Sequence, residues 1–225
     1  MSPAAAIEDV WELARALPAP IAGRWQWPDP WRELAALRAA GQRYLRLPGL
    51  VEETAARALR DAAAALTFSR LATDLVQADR VLLGPNDLTT WTLCLLDSPL
   101  RALVSAVLDR PMPRGLVMNV WRLGPGDHMG VHPDGCFYRG TISLGLAEGW
   151  NEADGGAIAF GDPTDSSNLA LDVRERWYPH LGDACLFAPD VDTWHCVEPV
   201  LGKATRLSLT GWWTEPANGL TIGRS

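Results

Sequence analysis

Hydrophobic positions fall into two textures along this chain, helical first and extended later. Ile7, Val10, Trp11 and Ala14 recur at helical spacing, so 3–17 reads as an amphipathic helix. Pro18, Pro20, Pro28 and Pro30 mark an irregular connector that carries Trp25 and Trp27. Asp29 is placed to cap a second helix, with Pro30 at its first position and Leu34 and Leu37 on its face. Tyr44 to Leu47 reads as a strand ended by Pro48-Gly49, and 51–66 as an Ala-rich helix with acids in its first turn. Residues 90–96 read as a strand. Ser98-Pro99 opens a helix whose Leu100, Leu103, Val104, Val107 and Leu108 share a face until Pro111 stops it.

After Pro113 the texture changes. Short apolar runs at 116–123, 141–146, 157–160, 184–187 and 205–213 are separated by Gly, Pro and Asp, the signature of a β-sandwich or barrel. Asp154-Gly155-Gly156 is a turn between two runs, and 162–183 reads as a longer polar loop around Trp177-Tyr178. There is no internal repeat. Helices followed by strands predict one α+β domain over 1–225, mainly β, with an N-terminal helical support at 1–112 and a β core at 113–214.

Composition narrows the function classes. Of the 225 residues 48% are hydrophobic, enough for a sizeable core. The net charge of −7 shows no basic stripe, which argues against a nucleic-acid partner. No apolar run approaches the ~18 residues of a membrane span. Glu8, Asp9 and Glu12 interrupt the N-terminal apolar pattern, unlike a secretory signal. Cys94, Cys136, Cys185 and Cys196 form no CxxC pair, so reduced thiols and a cytoplasmic setting are expected. The 11 tryptophans suit a core or lid, with some left for a substrate wall.

The chemistry concentrates in His132-Pro133-Asp134. In an extended segment His132 and Asp134 point to one side, while Pro133 points away. A second histidine, His195, follows far downstream. In a closed double-sheet roll, distant strands face each other across the interior, so all three side chains can meet. Two imidazoles and one carboxylate form the ligand set of a non-haem ferrous site and leave positions open for a cosubstrate and O₂. Taken alone, His-x-Asp is also compatible with a chance loop pair, and His195 with a hydrogen-bonded core histidine. Arg206 and Ser208 alternate onto one face of the last run. A buried arginine needs a partner, either a structural acid or the carboxylate of a bound diacid. His128 sits at helical spacing from His132, but its Gly-rich surroundings are not helical. Asp127 and Asp192 are candidates to orient the imidazoles. Cys136 and Cys196 read as small apolar filler beside the site. Arg139, Trp177, Tyr178 and Trp194 are candidates for the substrate mouth.

At these residues the chain resembles the Fe(II)/2-oxoglutarate-dependent oxygenases, in particular their prolyl-4-hydroxylase-like branch. The motif residues run in order: Trp121, Gly126-Asp127, His132-Pro133-Asp134, Trp150, Gly155-Gly156, His195, Val197, Pro199-Val200, Gly202, Arg206-Leu207-Ser208 and Trp212. The resemblance implies a double-stranded β-helix (jelly-roll, cupin-like) core with N-terminal helices packed on it. It implies iron held by His132, Asp134 and His195, and 2-oxoglutarate anchored by Arg206 with Ser208 as its hydroxyl partner. Thr141, Asn119 and Trp121 fall where relatives contact the cosubstrate. Trp121 stands where Tyr is common, and Gly145 where some relatives carry Tyr. Asp134 argues against the halogenating relatives, which lack this carboxylate.

The implied activity is hydroxylation by O₂ of a small molecule (an amino acid or biosynthetic intermediate) or of a peptidyl side chain, releasing succinate and CO₂. Ascorbate is a candidate reductant. Desaturation, ring formation or epoxidation would use the same residues, and oligomeric state is not legible. Two other classes share the scaffold. A nucleobase or nucleic-acid demethylase is disfavoured by the acidic balance and by the lack of a second arginine shortly after Arg206. A non-catalytic jelly-roll binding module is disfavoured by the intact His132, Asp134, His195 and Arg206.

Overall fold

A computed structural model describes residues 44–84, 101, 104–105, 108, 110–135, 138–164, 170–189 and 193–215. The helices expected at 3–17 and after Asp29, and the strand at 90–96, lie outside these residues. Strand β1 (Tyr44–Leu47) leads into helix α1 (Glu53–Ala64). Glu52 caps α1, its carboxylate accepting from the Thr54 and Ala55 amides at 2.9 and 3.1 Å. The helix starts later than the composition suggests because Glu52 is extended, with ψ of 142°, as the capping residue, while the Val51 amide bonds the Gly182 carbonyl at 3.0 Å. Among the described residues, no helix is long and apolar enough to cross a membrane.

The rest is strand. In chain order these are β2 (Ser69–Ala72), β3 (Val76–Leu82), β4 (Gly115–Leu123), β5 (His128–His132), β6 (Tyr138–Gly145), β7 (Ile158–Pro163), β8 (Leu171–Trp177), β9 (Ala184–Phe187), β10 (His195–Val197) and β11 (Arg206–Thr214). All paired strands run antiparallel, in the order β1-β9-β6-β11-β4-β3-β5-β10-β7-β8, with β2 on β3. The result is a nearly closed, jelly-roll-like barrel, mainly β, as expected. Strand β3 joins its walls, pairing β4 through Asp79–Leu82 and β5 through Val76 and Gln77. The terminal strand β1 meets the far end of the sheet through side chains: Arg46 Nε lies 2.7 Å from Glu175 Oε1 of β8, and Tyr44 stacks on Phe160 of β7 with centroids 4.3 Å apart.

Strand alternation sorts the large sheet into two faces. Leu116, Met118 and Val120 of β4, Ile142 and Leu144 of β6, and Leu207, Leu209 and Trp213 of β11 pack outward with Ala56 and Ala63 of α1 and with Val104. Val104 belongs to the stretch expected as a helix after Ser98, in which Arg101, Val104, Ser105 and Leu108 are helical. The opposite face carries Trp121 and Leu123, and encloses an interior completed by Met129, Ile158, Phe160, Trp177 and Val197 of the other wall. Arg206, Ser208, Thr210 and Trp212 alternate onto this interior face of β11.

The polar loop expected at 162–183 contains β8 instead. Its Leu171, Val173, Glu175 and Trp177 are more buried than Asp172, Arg174 and Arg176 between them. The alternation is regular, but exposed charges on one side of the strand give the stretch a loop-like composition. Trp177, expected near the mouth, is packed in the interior cluster.

Candidate metal centre

His132 ends β5 and His195 opens β10, and the two residues are directly paired across these strands. From that pair, two positions on β10 correspond to three on β5, reaching Val197 and Met129. The extra residue on β5 lets both Met129 and His132 face inward, as a bulge does. His128, at even spacing from His132, is thereby parted from the site, and its Nδ1 lies 3.2 Å from the Gly126 carbonyl instead.

Asp134 follows two residues after His132. Its Oδ1 lies 3.6 Å from His132 Nε2 and 3.8 Å from His195 Nε2. The three ligand atoms lie within 4.8 Å of one another, the one such group among the described residues. His132 Nδ1 is 2.7 Å from the Gly130 carbonyl, and His195 Nδ1 is 3.2 Å from the Thr193 carbonyl. A carbonyl only accepts, so each Nδ1 carries a hydrogen and each Nε2 is the nitrogen that faces Asp134. Asp134 Oδ2 accepts from Thr141 Oγ1 and Trp212 Nε1, both at 2.8 Å. The expected imidazole orienters differ: Asp127 binds Arg70 and the Gly124 amide, and Asp192 lies outside the described residues.

The electrostatics suit cation binding. Burial works to raise the Asp134 carboxyl, but its interactions with His132 and His195 and the Trp212 hydrogen bond outweigh it, holding the group at about 2. Burial drives His195 down to about 4, so its ring is neutral near neutral pH. His132 is shifted the other way: against burial, its hydrogen bonds to Asp134 and Gly130 raise it. Two imidazole nitrogens and one carboxylate oxygen are a donor set that fits ferrous iron.

Arg206 opens β11 and is 1% exposed. Its Nε donates to the Gly156 carbonyl at 2.8 Å and its Nη1 to Ser208 Oγ at 2.7 Å. Among the described residues no carboxylate lies within ion-pair distance, and burial pulls the guanidinium down to about 10. The carbonyl is aimed by the glycine pair, with φ of 66° at Gly155 and 64° at Gly156. A Cβ on Gly155 would stand 2.4 Å from the Pro199 carbonyl oxygen, so only glycine fits.

Between Arg206 and Asp134, the interior face carries Thr210, flanked in register by Asn119 of β4 and Ser143 of β6. Asn119 Oδ1 and Ser143 Oγ are buried without a hydrogen-bond partner among the described residues. Such atoms are costly unless something polar meets them. A face with a guanidinium lacking a carboxylate partner at one end, unpaired polar atoms along it and a metal-ligand cluster at the other suits a keto diacid. Trp121 is also on this face, buried beside Ser208 in register, with the Arg80 guanidinium 5.7 Å over its ring. Thr141 shares the face, but its hydroxyl donates to Asp134. Gly145 has a backbone reason: a Cβ there would stand 2.3 Å from the His180 carbonyl oxygen.

Two features were not anticipated from the residues. One is Trp212 as an Asp134 donor. The other is Tyr138, which a register shift on β6 turns to the site, 5.7 Å from the Trp212 ring.

Barrel, triad and buried arginine together are the arrangement a non-haem iron site using a keto diacid would need. The 2OG-Fe(II) oxygenase superfamily model matches residues 118–214, from within β4 to the end of β11. No curated protein matches the chain. Among solved structures, a Pseudomonas putida prolyl-4-hydroxylase aligns with a TM-score of 0.64 at 21% identity, over 81% of this chain and 98% of that one. A Trichoplax adhaerens prolyl hydroxylase, solved with a hypoxia inducible factor peptide fragment, aligns at 0.64 and 16% identity, over 83% and 91%. The epimerase SnoN from nogalamycin biosynthesis aligns at 0.64 and 15% identity, over 84% and 82%. At these identities the structures establish the fold. Residues 118–214 are thus similar to the proteins of the 2OG-Fe(II) oxygenase superfamily. These are oxidoreductases that use Fe(II), 2-oxoglutarate and O₂.

Proposed function

We propose that this chain is a dioxygenase that hydroxylates a small molecule, such as an amino acid or biosynthetic intermediate, or a peptidyl side chain. In this reading His132, Asp134 and His195 hold Fe(II), and Arg206 with Ser208 grips the far carboxylate of 2-oxoglutarate. The observation that carries it is Arg206: a guanidinium 1% exposed, without a carboxylate partner among the described residues, on the interior face that also holds Asp134 through Trp212. With 2-oxoglutarate and O₂, ferrous iron supplies the oxidation of a substrate C–H bond, yielding succinate and CO₂.

The chain's own part is binding and exclusion. Arg206 fixes the cosubstrate by charge-assisted hydrogen bonds. Asn119, Ser143 and Thr210 offer polar contacts along it, and Trp121 walls the slot. The His132 side chain is 23% exposed against 8% for Asp134 and 6% for His195, so substrate approaches from the His132 side. Tyr138 and Trp212 are the aromatic wall there. Arg139 beside them is exposed and free to meet a substrate acid. No side chain is required as a general base. The fold neighbours include both a prolyl hydroxylase solved with a peptide and an epimerase from nogalamycin biosynthesis, so both substrate classes belong in the trial. The free thiols Cys185 and Cys196 suit a reducing cytoplasm.

The test is succinate formation with Fe(II), 2-oxoglutarate and O₂ across amino acids, biosynthetic intermediates and proline-containing peptides, with products weighed for one added oxygen. His195→Ala should abolish turnover and metal binding together. Undiminished turnover in that variant would remove His195 from the ligand set.

A further inference from the structure

We propose that Thr141 and Trp212 are positioning residues that keep Asp134 a one-oxygen metal ligand. This rests on the reading of His132, Asp134 and His195 as the ligand set. The carboxylate's two oxygens have different surroundings. Oδ1 faces both imidazoles, 3.6 and 3.8 Å from their Nε2 atoms. Oδ2 accepts from Thr141 Oγ1 and Trp212 Nε1, each at 2.8 Å. A carboxylate oxygen has two in-plane lone pairs, so two such donors occupy Oδ2 and leave Oδ1 to the metal.

The donors are built into the sheet. Thr141 and Trp212 are direct cross-strand partners on β6 and β11, on the interior face of the large wall. Asp134 itself lies in the non-strand segment after β5, where no ladder bond sets its side-chain torsions. The wall therefore supplies the orientation that the segment lacks. Neither donor titrates in the working range, so the hold does not vary with pH.

The consequence concerns open positions. Three single-atom ligands on a six-coordinate ion leave three places, which a chelating keto acid and O₂ fill. A carboxylate binding through both oxygens would take one of them. Holding Oδ2 away from the ion thus protects cosubstrate and oxygen binding as well as metal affinity.

Co(II) loaded in place of iron provides a readout that needs no turnover. Wild type should bind one equivalent, with a visible spectrum that reports coordination number. Thr141→Val and Trp212→Phe preserve shape and remove one donor each. Each should weaken Co(II) several-fold, and the double variant by about 10–100-fold, the usual reach of partners behind metal ligands. The Co(II) spectrum should change, and 2-oxoglutarate should bind the Co(II) protein more weakly. Thr141→Ser, which restores a hydroxyl, should return toward wild type. Melting of the metal-free proteins checks folding, and either single variant suffices should the double variant misfold. Co(II) affinity, spectrum and 2-oxoglutarate binding within twofold of wild type in both single variants would overturn the positioning role while leaving the ligand set standing. A Thr141→Ser protein as impaired as Thr141→Val would also overturn it, by pointing to packing. Failure of wild type to bind Co(II) would overturn the ligand set, and this inference with it.

Discussion

A buried guanidinium with two neutral acceptors and no counter-charge is an expensive residue unless a ligand completes it. Arg206 is that residue, bonded to the Gly156 carbonyl and the Ser208 hydroxyl. Replacing it should leave the metal ligands untouched, because it contacts none of them in these bonds. Arg206→Ala is expected to raise the 2-oxoglutarate requirement by roughly 100-fold, the size of a lost charge-assisted contact of about 2–3 kcal/mol, with Co(II) affinity changed little. Calorimetric titration of each ligand into the variant checks this. A parallel loss of metal affinity would place Arg206 in a structural role. At this scale the sequence was informative where chemistry is rare. His132, Asp134, His195 and Arg206 are side chains with few bland uses inside a barrel. The partners of the imidazoles were illegible for the opposite reason: they are the carbonyls of Gly130 and Thr193, and every residue has a carbonyl.

Among the elements, β4, β6, β9 and β11 were legible because apolar runs bounded by Gly, Pro and Asp mark buried strands. Strand β10 has only three residues, and β8 alternates its few apolar side chains with Asp172, Arg174 and Arg176. Neither leaves a run long enough to stand out from a loop. The inward turn of His132 depends on the extra residue in β5, which no alternation rule anticipates.

Two element-scale predictions follow from close contacts. Gly145 lies where the end of β6 meets the backbone at Pro179 and His180, with 2.3 Å from an added Cβ to the His180 oxygen. Gly145→Ala should therefore cost about 3 kcal/mol, the upper range of overpacking, seen as a lowered urea midpoint. An unchanged midpoint would show that the 179–180 segment yields. The turn before β5 is held by Asp127, which takes Arg70 at 2.6 and 2.8 Å and the Gly124 amide at 2.9 Å. The Arg70 hydrogen bond leads in holding its carboxyl below the usual 3.8, against burial and with help from the Gly124 amide. A depressed folded-state value contributes stability above the ordinary aspartate range, lost as pH falls through the folded value. Arg70 is half-exposed, so the contribution is about 1 kcal/mol at most. Asp127→Asn should lower stability near neutrality and flatten its decline below pH ~4. An acid limb identical to wild type would show that the clamp carries no such contribution.

For the whole molecule, the barrel brings residues far apart in sequence into one interior. One wall supplies Arg206, Ser208 and the donors to Asp134; the other supplies His132 and His195, and β3 ties the two together. On the proposed reading, metal and diacid would bind on one interior face, so the ligands should depend on each other. Titration of 2-oxoglutarate into the protein without oxygen, with and without Mn(II), tests that dependence most directly. One equivalent should bind tightly only when Mn(II) is present, and should bind far more weakly to Mn(II)-loaded Arg206→Ala. Equal affinity with and without metal, or no binding at all, would contradict a shared site.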